Sequence, residues 1–111
     1  MIDHTDQLVL ATTTRDDHAE AGALLLEALQ RRSPASAHLA HNAVVVVNQA
    51  DPTAKATEVT RISEGFHGIA REAVTIPYDP AMVGGVLNFD ALQPRTRRAW
   101  LAAAAAVTRG L

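Results

Sequence analysis

Asn48 carries a carboxamide with a donor side and an acceptor side, a pair of groups able to read a polar edge. That combination suits adenine, which presents an amine donor beside a ring-nitrogen acceptor. Asn48 directly follows Val44-Val45-Val46-Val47 and is itself followed by Asp51 and Pro52. Two other polar groups stand after apolar runs in the same way: Thr12-Thr13-Thr14 after Leu8 to Ala11, and Pro77-Tyr78-Asp79 after Ile76. Each also has a plainer reading, since Asn and Asp after a strand commonly make turns with their own backbone. His38 and His41 are spaced for one helix face, yet with no cysteine and no acid nearby they suit a solvated connection better than a metal site. His4, His18 and His67 are scattered and form no nucleophile–base–acid pattern. Arg95, Arg97 and Arg98 cluster where they can face DNA, phosphate or an acidic protein surface, or simply water.

The surrounding pattern says what must position these groups. Gln7 to Thr13 reads as a strand, and its unalternating apolar centre predicts cover on both faces, as in a parallel sheet. Thr14 to Asp17 offers a helix start, and Ala19, Ala23, Leu26 and Leu29 recur at helical spacing until Ser33-Pro34 stops the helix. A polar connection then leads to Ala43 to Val47, whose β-branched run favours a strand buried on both faces. Thr53 can cap a next helix with the stripe Val59, Ile62, Phe66 and Ile69. Glu72 to Ile76 forms a third strand, closed by Pro77. Pro77 to Pro94 is long for a loop in a compact domain and so is a functional candidate. Pro94 starts a last helix with Trp100, Ala104, Val107 and Leu111 on one face. The expected class is α/β: a single domain spanning 1–111, with a three-stranded parallel sheet and flanking helices.

In such sheets ligands bind beyond the C-terminal ends of the strands, where all three polar groups fall. Of 111 residues, 48% are hydrophobic, 20% charged and only 4% aromatic, which predicts one core built from Val, Leu, Ile and Ala. A net charge of −2 gives no bulk attraction to nucleic acid or to an anionic membrane. The lack of cysteine excludes disulfides and thiolate metal sites and fits a cytoplasmic setting. The start of the chain is polar and acidic, unlike a signal peptide, and no apolar run is long enough to span a bilayer.

Taken in order, these segments resemble the C-terminal half of the MinD/ParA-like P-loop ATPases, a SIMIBI-class domain. The resemblance runs from Asp6 to Leu111. It is carried by Asp6 to Thr13, the Ala/Leu-rich helix, Val45-Val46-Val47-Asn48, Pro77 to Pro80, and Phe89 to Leu101. It is closest to the actinobacterial subgroup associated with type VII secretion. The resemblance implies that Asn48 contacts the adenine of ATP, that Pro77 and Asp79 lie over the base, and that Asp51 contributes more weakly. It assigns no contact to Thr12, Thr13 or Thr14.

The chain departs from that family at the phosphates. No G-x-x-x-x-G-K-[ST] occurs, Gly84-Gly85 has no lysine after it, and Lys55 is the only lysine. Hydrolysis by the family mechanism and capture of Mg²⁺ by this chain alone are therefore not expected. Three functions are open: a nucleotide-binding or assembly module, a small α/β protein-interaction module without a nucleotide role, or a remnant of a longer gene. The expected partners are a second copy, a complementary N-terminal ATPase half, or other proteins. Ala-rich character in the last helix argues against a membrane anchor.

Overall fold

The computed structural model describes residues 7–49, 51–53, 55–82 and 89–110. Strand β1 (Val9–Thr13) leads to helix α1 (Asp16–Arg32), then α2 (Pro34–His41) and β2 (Val44–Asn48). Helix α3 (Ala56–Phe66), strand β3 (Glu72–Ile76), two short 3₁₀ turns (Pro80–Met82 and Phe89–Ala91) and helix α4 (Pro94–Arg109) complete the order. The three strands form one parallel sheet in the order β1-β2-β3, so the expected α/β class and parallel sheet are observed.

Strand β2 sits in the middle because its sequence tolerates no water on either face. Val44, Val45 and Val47 are fully buried and Val46 nearly so. Val45 and Val47 pack with Leu26, Ile62 and Phe66 under α1 and α3, while Val44 and Val46 pack with Ile76, Ala103 and Ala106 under α4. Each such valine contributes about 1.5 kcal/mol or more of hydrophobic burial.

Four details depart from the sequence pattern, each for a local reason. The connection after Ser33 is a helix, α2: Ser33 ends α1, its hydroxyl accepts the Ser36 N–H at 3.0 Å, and Pro34 occupies the first turn. Thr14 and Thr53 cap nothing. Thr14 instead donates its N–H to the Asn48 carbonyl, Thr53 binds Asp51, and Arg15 and Lys55 stand at the helix starts without side-chain caps. The buried face of α4 carries Thr96, Ala103 and Ala106 rather than Ala104, which is exposed; Leu111 lies outside the described residues. Strand β1 is covered on one face only, since Leu8 and Leu10 pack against the α1 side while Val9 is 46% exposed and Ala11 is also exposed. The cause is placement: α4 packs over β2 and β3.

The N-terminal end of the sheet is tied by a polar network. Gln7 Nε2 donates to the Asn42 carbonyl at 2.6 Å, and Asn42 Nδ2 donates to the Gly110 carbonyl at 3.2 Å. Arg71 donates to Gln7 Oε1 and to the Ala106 carbonyl, and pairs with Glu72, which also binds Arg109 at 2.6 Å. The Arg109 guanidinium, then Arg71, holds the Glu72 carboxyl below its usual range. The start of β1, the turn before β2, the start of β3 and the end of α4 are thereby joined.

Leu26 and Gly22 set the fit of α1 to the sheet. Leu26 is fully buried, and a Cβ at Gly22 would stand 3.1 Å from Leu10 Cδ2 and 3.6 Å from Phe66 Cζ. Chemical denaturation should show Leu26→Ala less stable by about 2–5 kcal/mol and Gly22→Val by about 1–3 kcal/mol. Leu101→Ala, at a position 60% exposed, should change stability by less than about 0.5 kcal/mol.

Candidate functional site

The parallel register brings three strand ends into one row. Thr13 lies opposite Asn48, and Asn48 lies opposite Ile76. Residues of this parity face α4 on β2 and β3, so Asn48 stands on the α4 face of the sheet, at its C-terminal end. Its backbone is committed, with its carbonyl accepting the Thr14 N–H at 3.1 Å. Its side-chain Oδ1 is buried and has no hydrogen-bond partner among the described residues. A buried carbonyl oxygen without a donor costs on the order of 1–3 kcal/mol.

The other residues singled out by sequence occupy different situations. Asp51 is exposed and makes a turn: its Oδ1 accepts the Thr53 N–H at 2.8 Å and the Thr53 hydroxyl at 2.7 Å. The Thr53 backbone bond, then the hydroxyl, holds the Asp51 carboxyl below its usual range. Pro77 is half-buried directly after Ile76, beside the row. Asp79 is 3% exposed and has both oxygens engaged, Oδ2 by the Gln93 N–H at 2.8 Å and Oδ1 by the Ala81 N–H at 3.0 Å. Those two bonds, Gln93 first, lower its pKa. Thr96 Oγ1 lies outside good hydrogen-bond geometry yet near enough to favour the charged form. Asp79 thus closes the base of the long loop onto the start of α4.

Sequence pattern assigned no contact to three further polar groups at or near this end, although it placed Thr12 and Thr13 at a strand end. Thr13 Oγ1 lies 2.7 Å from His18 Nδ1 and also accepts the Arg15 N–H at 3.2 Å. Thr12 Oγ1, on the α1 face, is buried without a partner among the described residues. The Trp100 indole N–H is buried without an acceptor on the α4 face, where the helical stripe alone suggested plain core packing. Thr12 and Thr13 were marked in the sequence by their place at a strand end, and Trp100 by its indole N–H, which needs a partner when buried. His38 and His41 are both exposed on α2, and no cluster of metal-binding side chains occurs among the described residues. Arg95 and Arg98 are exposed in the first turns of α4, a helix whose first turn carries no acidic residue of its own, and Arg95 lies near enough to Asp79 to favour its charged form.

The chain matches no protein-family model, no curated protein and no solved structure. No helix among the described residues is long and apolar enough to cross a membrane.

Asp79 gives this end a defined acid response. Its folded pKa lies below the unfolded value, so its contribution is fully present above about pH 4 and disappears as pH falls through the folded value. Asp79→Asn should therefore lower the thermal midpoint at pH 7, and the gap from the parent protein should narrow toward pH 3. A gap independent of pH would show that the charge is not what holds the loop.

Proposed function

We propose that this chain is the C-terminal portion of a MinD/ParA-like ATPase that retains the adenine side of the nucleotide site and serves as a nucleotide-binding or assembly module. The observation that carries the reading is the buried, unpartnered Oδ1 of Asn48 at the C-terminal end of the central strand. The partly exposed Asn48 side chain must turn its closed-off oxygen outward to accept from an adenine amine, and its amide can then donate in return to a ring nitrogen. Pro77 follows the neighbouring strand and offers an apolar surface for the base. Asp79 acts in this reading by holding the loop, because its oxygens are taken by Gln93 and Ala81.

Binding rests on the base alone. Lys55, the only lysine, stands exposed at the start of α3, and Gly84-Gly85 lie outside the described residues. No phosphate-cradling loop occurs in the sequence, so ATP is held weakly, Mg²⁺ is not held by this chain alone, and hydrolysis is not assigned to it. A second reading, an interaction module without a nucleotide role, is favoured by Leu24 and Leu25, which are 55% and 50% exposed on α1.

Calorimetric titration with ATP and Mg²⁺ separates the two. The adenine reading predicts weak binding that falls roughly tenfold in Asn48→Ala, the loss of about one hydrogen bond to a buried acceptor. Binding indifferent to Asn48, or no binding at all, supports the second reading. Tight binding or turnover by the isolated chain contradicts the first.

A further inference from the structure

The outer edge of β1 is open, and its backbone alternation defines what it offers. The Leu8 carbonyl accepts the Val44 N–H and the Thr14 N–H donates to the Asn48 carbonyl. Even-numbered residues of β1 therefore face β2, and the N–H and C=O groups of Val9, Ala11 and Thr13 face outward. Among the described residues no strand pairs with them. Between Gln7 and Thr14 no residue is charged, and none is proline. The opposite edge, on β3, is bracketed by Arg71-Glu72 and Pro77, a combination that discourages pairing.

Helix α1 continues this open side. A groove of about 350 Å³ runs between β1 and α1, with Leu10, Ala11, His18, Ala21 and Leu25 among its walls. Beside it, Asp17, Ala21, Leu24, Leu25, Ala28 and Arg32 are all exposed and recur at helical spacing. The seam is complementary to itself when reversed. An antiparallel copy centred between Leu24 and Leu25 sets Leu24 against Leu25, Ala21 against Ala28, and Asp17 against Arg32. The acidic first turn of each helix then meets the basic last turn of the other, which a parallel copy does not allow. Arg31 and Arg32 have no ion-pair partner among the described residues. Asp17 is engaged by Arg15 in an exposed pair that leaves room for a second cation.

We infer that β1 and α1 form the interface of a homodimer with its twofold axis perpendicular to the sheet. β1 pairs antiparallel with β1 of the second copy, and the two three-stranded sheets become one of six strands. Helix α1 packs on β1, so the twofold axis brings the two α1 helices side by side on one face of the joined sheet. The exposed faces of Val9 and Ala11 come together on the opposite side of the sheet. Asn48 takes no part, so this inference does not depend on the nucleotide reading.

Light scattering over a wide range of concentration tests it, with two variants. The parent chain should pass to twice its 11.8 kDa mass. Ala11→Pro removes an N–H that points away from β2, so it should keep the native circular dichroism while weakening self-association roughly tenfold or more. The chain has no cysteine, so Leu25→Cys should give a disulfide-linked dimer on mild oxidation, much faster than Ala102→Cys on the exposed side of α4. A monomer at every concentration would overturn the proposal. So would an Ala11→Pro dimer as tight as the parent, or equal crosslinking at the two cysteines. Capture of the monomer solely by a separate P-loop polypeptide would assign this edge to that partner instead.

Discussion

The structure depends on the burial of β2 from both faces. Four valines in sequence can be dry only if helices lie above and below the same strand and other strands pair on both edges. That requirement places α1, α2 and α3 on one side and α4 on the other, and it fixes the parallel register with β1 and β3. A slip of one residue would exchange the two cores and turn every valine toward the wrong helices. The alignment of Thr13, Asn48 and Ile76 is a consequence of that register.

The two ends of the sheet are then used differently. At the N-terminal end, Gln7, Asn42, Arg71, Glu72 and Arg109 satisfy one another and the ends of α2 and α4. At the C-terminal end Asn48 Oδ1 is left without a donor and the Trp100 N–H without an acceptor on the same face of the sheet. The unmet acceptor of Asn48 thus lies at the end where open parallel sheets bind ligands. Asp79 locks the long loop to α4 through backbone N–H groups. The side of β1 that α4 leaves bare is a separate outlet, apolar and suited to another strand.

Much of this was legible because local chemistry decided it. The valine run named the central strand, Pro77 marked the end of β3, and Pro94 marked the start of α4. Ser33-Pro34 carried two meanings, a helix stop and a helix start, and only the second reveals α2. The phase of α4 was obscure because alanines on every side leave too few bulky residues to mark the buried face. The bare face of β1 was not legible either, since an apolar run records a preference for burial and not whether a neighbour supplies it. At the site, the position of Asn48 was readable from its strand. The engagement of Asp79 was not, because its partner Gln93 is brought close only by the folded loop.

The central claim is that Asn48 presents an unmet acceptor that an adenine can satisfy. Nuclear magnetic resonance of the ¹⁵N-labelled chain during titration with adenosine tests it most directly, since the phosphates are absent. The account predicts a saturable shift of the Asn48 side-chain amide together with the backbone amides of Thr13 and Gln49. An Asn48 side-chain signal that stays fixed at saturating adenosine, or shifts confined to other parts of the chain, would contradict it.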